Sequence, residues 1–165
     1  MTTDLYRPAL PRDLAAAFVS FTAAFAVAAV GGLATAASVG TWYPGLEKPA
    51  FNPPNAVFGP VWTVLYALMA YAAWEVWRRS EGATRRHAIT LYAVQLTLNL
   101  AWSLIFFGLR RPDIALVEVV LFLGAILLTA RAFWRIHRPA GLVFVPYVLW
   151  VAFASLLNFE IWRLN

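Results

Sequence analysis

Residues 42–62, WYPGLEKPAFNPPNAVFGPVW, form the one long irregular segment between apolar runs, so they set where the flanking helices end and begin. Five of the ten prolines of the chain lie in it: Pro44, Pro49, Pro53, Pro54 and Pro60. Because proline fixes φ and removes a backbone donor, the segment has few conformations to lose on ordering. It also carries four aromatic residues: Trp42, Tyr43, Phe51 and Phe58. A stiff, aromatic loop of this length is typical of a packed lid, and we call residues 40–54 the lid loop.

The composition places the chain in lipid. Of its 165 residues, 62% are hydrophobic and only 13% are charged, against about 45–50% apolar and about 25% charged in an average soluble domain. So small a chain cannot bury this excess in a water-soluble core. The length leaves room for one domain, residues 1–165.

Five apolar runs are each long enough to cross a bilayer of about 30 Å, which takes about 20 helical residues. The sequence therefore predicts an all-α integral membrane bundle of five transmembrane helices. Their expected bounds are about 14–39, 55–77, 87–109, 112–134 and 140–162, with Pro146 as a kink in the last.

The first run is too long for the apolar core of a secretory signal, which has about 7–15 residues, so we expect a retained helix. It contains small residues at helical spacing: Ser20, Ala24, Ala28, Gly32 and Ala36. Such a ladder lets another backbone approach closely in lipid. It favours packing inside the chain, and the seam of a homodimer is the alternative.

Lysine and arginine near the helix ends predict the orientation. Nine lie on the side of the N-terminus: Arg7, Arg12, Arg78, Arg79, Arg85, Arg86, Arg131, Arg135 and Arg138. Four lie on the other: Lys48, Arg110, Arg111 and Arg163. This asymmetry predicts a cytoplasmic N-terminus and an external lid loop in a bacterial inner membrane, with the outer membrane as the alternative.

The net charge of +5 does not indicate nucleic-acid binding, because the arginines cluster at the ends of apolar runs. With no cysteine, and with His87 and His137 lacking a third ligand nearby, we expect no metal site. Glu118 is the one acidic residue well inside a helix, where a charge is costly. It should therefore be neutral, paired or facing a polar cavity; structural pairing is favoured, with Arg110 and Arg111 as candidate partners.

Three tryptophans lie deeper than an interfacial belt: Trp62, Trp102 and Trp150. At 1.5 Å per residue, Trp62 and Trp102 lie about 10–12 Å from the lid-loop ends of their helices, and Trp150 about 18 Å. Polar or aromatic residues share their faces: Tyr66 with Trp62; Gln95, Asn99 and Phe106 with Trp102; Ala154 and Asn158 with Trp150. Buried amides need partners in lipid, so these faces point inward. They predict a pocket under the lid loop rather than mere hydrogen-bonded staples between helices.

Several motifs in order resemble the TspO/translocator-protein family, also called the peripheral benzodiazepine receptor or TspO/MBR family. The matching stretches are Trp42-Tyr43, Leu46 to Pro49, Asn52 to Pro54, Gly59 to Trp62, Leu65-Tyr66, Gln95 to Gly108, and Pro146 to Asn158. The resemblance covers nearly the whole chain after about residue 13.

The resemblance implies a five-helix bundle, often dimeric, whose pocket binds porphyrins such as protoporphyrin IX and haem, sterols, and isoquinoline or benzodiazepine drugs. Together with the depth argument, it gives eight ligand-binding candidates: Trp42, Trp62, Tyr66, Asn99, Trp102, Phe106, Trp150 and Ala154. The family's sterol-recognition pattern has tyrosine where this chain has Phe159, a departure from that already weak pattern.

The sequence thus favours a membrane receptor for tetrapyrroles and similar flat hydrophobic ligands, acting in tetrapyrrole regulation or stress response, with no cofactor of its own. Its partners would be a porphyrin, the lipid membrane and a second copy. One alternative is a light-dependent porphyrin-degrading enzyme, with Trp62 and Trp150 as the catalytic candidates that the resemblance implies. Another is a porphyrin or sterol transporter.

Overall fold

A computed structural model describes residues 10–165 of the chain, and this part is helical without any strand. Its helices are α1 (Leu10–Val39), α2 (Asn55–Arg79), α3 (Gly82–Ser103), α4 (Pro112–Ile136), α5 (Arg138–Leu142) and α6 (Phe144–Leu164). Five segments are long and apolar enough to span a membrane, the last of them formed by α5 and α6 together. The predicted all-α bundle of five membrane-spanning helices is therefore confirmed.

Two helices begin earlier than the apolar pattern indicated. Helix α1 already includes Leu10, the first described residue, rather than beginning at about residue 14. Helix α3 starts at Gly82 rather than at about residue 87, after a connection of two residues. Gly82 has a φ of +56°, which glycine adopts without the strain of a β-carbon. Arg7, counted in the charge asymmetry, lies outside the described residues.

Helix α3 does not run on as an α-helix to residue 109. It continues as a π-helical turn, Leu104–Gly108, closed by a 2.8 Å hydrogen bond from Leu109 N to Leu104 O. A π turn holds one residue more than an α turn, and this one is followed by Arg110 with a φ of +56°. The extra residue changes where the aromatic side chains of this segment point.

The expected irregularity near Pro146 is a local interruption at Val143, whose backbone stays in the right-handed helical region (φ −57°, ψ −25°) and whose N–H bonds the carbonyl of Pro139 at 3.1 Å. Helix α5 ends at Leu142 and α6 begins at Phe144. Pro146 has no N–H to donate to the carbonyl four residues earlier, which weakens the helix at this point. Helix α5 lies against the end of α4: a β-carbon at Gly141 would come within 2.6 Å of Trp134, so only glycine fits there.

The first part of the small-residue ladder of α1 packs inside the chain. Ser20 Oγ donates a 2.7 Å hydrogen bond to the carbonyl of Ala70 on α2. Ala24 is fully buried in the main core, beside residues of α2 such as Met69 and Ala73. Close approach of α1 and α2 at these positions agrees with packing within one chain.

A charged cluster closes the end of the bundle opposite the lid loop. Glu75 of α2 is buried and forms ion pairs with Arg79 and Arg78, and His137 Nε2 lies 3.7 Å from its carboxylate. Burial and the nearby positive charge of Arg79 lower the pKa of His137. Although the Glu75 carboxylate lies near His137, it is already paired with the two arginines, and the pKa of His137 remains below its usual value.

The expected pairing of Glu118 is wrong. Arg111 instead forms a 2.6 Å ion pair with Asp113, two residues along the chain. Both carboxylate oxygens of Glu118 are buried and have no hydrogen-bond partner within residues 10–165. Asp113 lies nearer to Arg111 in sequence, in the first turn of α4, so it is within reach of the guanidinium.

Hydrogen bonds and a cation–π contact hold the lid loop at several points. Asn165 exchanges two hydrogen bonds with the backbone of Glu47, of 3.0 and 3.1 Å. Tyr43 donates a 3.0 Å bond to Asn52 Oδ1, and Lys48 Nζ lies 4.9 Å from the centre of the Tyr43 ring. Burial raises the pKa of the Tyr43 phenol, so the proton stays in place for this bond. These contacts tie the lid loop to itself and to the end of the chain.

Candidate functional site

A cavity of about 450 Å³ lies in the half of the bundle beneath the lid loop. Its wall contains side chains from α1, α2, α3, the π turn, α6 and the lid loop, and none of the lining residues is charged. Trp62, Trp102 and Trp150 all line it. A largely apolar concave site with a few polar groups is the usual form of a binding site for a small organic molecule.

The aromatic wall is built from stacked pairs. Trp102 stacks on Phe106 with ring centres 5.1 Å apart and planes 21° from parallel. On the other side, Trp62 and Tyr66 lie 5.7 Å apart, and Phe58 meets the edge of Trp150 at 5.7 Å. These separations lie in the range in which aromatic pairs attract each other beyond simple burial. The wall is therefore preformed.

A chain of hydrogen bonds lies behind Tyr66. Its hydroxyl donates to Asn99 Oδ1, and Asn99 Nδ2 donates a 3.0 Å bond to Tyr147 Oη. Tyr147 in turn donates a 2.9 Å bond to Gln95 Oε1, and Gln95 Nε2 approaches Met69 Sδ at 3.8 Å. All five side chains are buried. The network therefore satisfies the amides within the protein and fixes the ring of Tyr66.

A second amide holds Trp102. Its indole N–H donates a 3.2 Å bond to Asn158 Oδ1, and Asn158 Nδ2 donates a 2.7 Å bond to the carbonyl of Pro112. The bonds join α3, α6 and the start of α4. Asn158 is buried and also lines the cavity, so it is both a staple and a wall residue.

Helix α1 supplies a side of the cavity that the sequence did not assign. Its lining residues are Phe25, Ala28, Gly31, Gly32, Thr35, Ala36 and Val39. Gly32 and Ala36 are exposed, as are Gly59 and Thr63 on the facing side of α2. The cavity thus opens between α1 and α2, within the membrane-spanning part of both helices. Small residues at helical spacing were interpreted as packing, and only the tertiary structure shows that part of the ladder faces empty space.

The eight candidate residues take two kinds of position. Six line the cavity: Trp62, Tyr66, Trp102, Phe106, Trp150 and Ala154. Trp42 lies one layer out, with its ring 5.9 Å from Phe106, and Asn99 is buried behind Tyr66. Sequence periodicity shows which face of a helix points inward, but not whether a residue lines the cavity or lies behind a residue that does. It therefore could not separate these two groups. That any of the eight binds ligand stays a prediction.

The indole nitrogen of Trp150 differs from those of Trp102 and Trp74. Trp150 Nε1 is buried without a hydrogen-bond partner in the described part of the chain. Trp74 Nε1, at the opposite end, donates a 2.9 Å bond to Asp13 Oδ1. Across residues 10–165, no three side chains of His, Cys, Asp or Glu lie close enough to hold a metal ion. The chemistry of the cavity is therefore that of aromatic faces and neutral hydrogen-bonding groups.

Comparison with known proteins agrees with this architecture. The sequence profile of the TspO/MBR family matches residues 18–163. The tryptophan-rich protein TspO of Archaeoglobus fulgidus is 42% identical over 146 residues, which cover 88% of this chain and 94% of that protein. The translocator protein of Homo sapiens is 42% identical over 126 residues, or 75% of each chain. Protein CrtK of Rhodobacter capsulatus is 39% identical over 141 residues, covering 85% of this chain and 88% of that protein.

The family match spans all five membrane-spanning segments, the lid loop and every cavity wall. The chain is an integral, multi-pass membrane protein, and it belongs to the TspO/MBR family.

Proposed function

We propose that this protein binds tetrapyrroles such as protoporphyrin IX and haem, and similar flat hydrophobic molecules, in the cavity beneath the lid loop. The observation that carries the proposal is the cavity itself: about 450 Å³, lined by three indoles and free of charged side chains. A tetrapyrrole has a large π-face, which aromatic rings can contact over a wide area. The role we assign is that of a receptor in tetrapyrrole regulation or stress response.

The charge distribution predicts how such a ligand is oriented. Burying an unpaired carboxylate in an apolar cavity is strongly unfavourable. The propionates of a porphyrin would therefore stay at the lid loop or at the opening between α1 and α2. Asn99 is not free to meet them, because both ends of its amide are already bonded to Tyr66 and Tyr147.

A fluorescence titration tests the proposal. Purified protein in detergent is titrated with protoporphyrin IX while quenching of tryptophan emission is recorded. We expect saturable quenching with one binding site per chain. Trp77→Phe serves as the matched control, since Trp77 lies at the opposite end and contacts Arg85 rather than the cavity. Linear, non-saturating quenching in the wild-type protein would refute the proposal.

Light-dependent degradation of a bound porphyrin is the second candidate activity. Its support is the presence of Trp62 and Trp150 on the same cavity wall, where either could exchange an electron with an excited ligand. Illumination of the complex under air, followed by absorption spectroscopy, tests it. A new absorbing product that forms with wild-type protein but not with Trp62→Phe or Trp150→Phe would support this activity.

Location and assembly are further parts of the proposal. The arginine asymmetry supports a bacterial inner membrane with the N-terminus in the cytoplasm. A homodimer is proposed on the resemblance to the family. Transport of a porphyrin or sterol is a third function, and a flux assay in proteoliposomes would detect it. The position of the usual tyrosine holds Phe159, which weakens the argument for a sterol.

A further inference from the structure

The opening of the cavity between α1 and α2 is bordered by small residues. Gly32 and Ala36 of α1, and Gly59 and Thr63 of α2, line the cavity and are exposed. A β-carbon placed on Gly32 or Gly59 would meet nothing within 4 Å outside its own helical backbone. The hydroxyls of Thr35 and Thr63 each donate a 2.9 Å hydrogen bond to a carbonyl of their own helix. Within residues 10–165, no hydrogen bond crosses the opening.

Helix α1 is held by different neighbours at its two ends. In the half away from the lid loop, Ser20 Oγ donates a 2.7 Å bond to the carbonyl of Ala70 on α2. In the half near the lid loop, Ser38 Oγ donates a 2.5 Å bond to the carbonyl of Phe107 in the π turn. A β-carbon on Gly31 would lie 3.3 Å from a side-chain oxygen of α3. These contacts leave the gap between α1 and α2 in the half that holds the cavity.

The lid loop, in contrast, is closed over the cavity. Asn165 exchanges two hydrogen bonds with the backbone of Glu47 and donates a third, of 2.8 Å, to a carbonyl of α6. The rings of Trp42 and Tyr43 lie 5.9 and 5.8 Å from phenyl rings of the π turn. A molecule that passed the lid loop would have to separate these groups, whereas one that passed between α1 and α2 would not.

We propose that the ligand enters and leaves the cavity sideways, from the lipid through the opening between α1 and α2, while the lid loop stays closed. The inference rests on the proposed function, because it concerns access to the same cavity by the same class of ligand. A group at the border of a route raises the barrier to entry and to exit alike. Bulk added at Gly32 should therefore change the rates of exchange and leave the affinity nearly constant.

The test uses the absence of cysteine from the chain, since Gly32→Cys introduces a single thiol at the opening. Reaction with N-benzylmaleimide then adds a bulky group to protein that is already folded, and the unlabelled variant is the reference. Protoporphyrin IX is bound to the protein in lipid nanodiscs, and its release into an excess of empty vesicles is followed by recovery of tryptophan emission. We expect labelling to slow release by about fivefold or more, while Kd from titration changes by less than about twofold, so that kon falls with koff.

Two further variants separate the possible routes. Gly124→Cys, labelled in the same way, is the matched control: Gly124 lies in α4, has open space at its β-carbon and does not line the cavity. Its label should leave the release rate unchanged. Asn165→Ala removes the bonds between α6 and the lid loop, and release from this variant should be no faster than from wild type.

The outcomes separate this inference from the proposed function. Wild-type protein without saturable binding of protoporphyrin IX would overturn both. Saturable binding with a release rate that the label at Gly32 does not change, or that the label at Gly124 changes equally, would overturn the sideways route alone. So would faster release from Asn165→Ala, because the ligand would then leave past the lid loop. A thiol at position 32 that fails to react would show that the opening is closed, with the same consequence.

Discussion

Replacing Asn99 by leucine should destabilise the bundle by an amount that the hydrogen-bond network defines. The Tyr66 hydroxyl would become a buried donor without an acceptor, which costs about 1–3 kcal/mol. Tyr147 would lose one bond but keep the one to Gln95, a loss of about 0.6 kcal/mol for an average hydrogen bond between membrane helices. The free energy of unfolding should thus fall by about 2–4 kcal/mol.

A second substitution, Tyr66→Phe, tests the same hydrogen bond. Its effect on the free energy of unfolding should have opposite signs in the wild-type and Asn99→Leu backgrounds. In the wild-type background it removes a bond and leaves Asn99 Oδ1 without a donor, so it destabilises. In the Asn99→Leu background it removes the stranded hydroxyl and should restore about 1–3 kcal/mol. Such a reversal is the signature of direct coupling between two side chains.

The assay is unfolding of purified protein in mixed micelles by increasing mole fractions of SDS, followed by tryptophan fluorescence. Thr97→Val is the control: it lies on the same helix, is exposed, and bonds only the carbonyl of Ala93. Its stability should match that of wild type. If Tyr66→Phe destabilises both backgrounds equally, the hydrogen bond to Asn99 does not carry the stability that the geometry assigns to it.

Three further predictions concern binding, pH and orientation. Changing Trp62, Trp102 or Trp150 singly to phenylalanine should weaken porphyrin binding by up to about tenfold, while Trp77→Phe leaves the dissociation constant unchanged; an equal effect of all four would point to folding instead. Because the pKa of His137 is lowered in the fold, the unfolded state binds more protons, and stability should decline as pH falls through about 6.5. In the His137→Gln variant, stability measured by SDS unfolding should lose that part of its decline between pH 8 and pH 5. An unchanged dependence of stability on pH would contradict the prediction. A C-terminal reporter that is active only in the cytoplasm should be silent, and strong activity would reverse the orientation.

The helices were predictable because their signal is chemical and local. A bilayer imposes a minimum apolar length, and each of the five runs exceeds it, so existence and order follow from the sequence. The ends were less predictable, since α3 begins at Gly82 by a local backbone conformation that hydropathy does not record. The local interruption at Val143 lies close to Pro146, where the sequence predicts a kink.

The site was predictable in depth and not in detail. The number of residues between each deep tryptophan and the lid-loop end of its helix gave the depth of the three indoles in the bundle. It could not show that Asn99 lies behind Tyr66. The π turn left no sequence signal, and its hydrogen bond with Ser38 joins two residues that lie 69 positions apart in the chain. The surroundings of Glu118 were likewise hidden: its carboxylate has no hydrogen-bond partner within residues 10–165, while Arg111 pairs with Asp113.

The opening between α1 and α2 changes what a measured dissociation constant means. Where a cavity meets the hydrocarbon sideways, the ligand that reaches it is the fraction dissolved in the lipid or detergent phase. An apolar ligand concentrates in that phase. Adding more micelles to a fixed total amount of ligand therefore lowers the ligand concentration within the apolar phase, although the protein itself is unchanged. The apparent affinity of this protein should therefore scale with the volume of the apolar phase, and values from two preparations are comparable only as mole fractions in lipid.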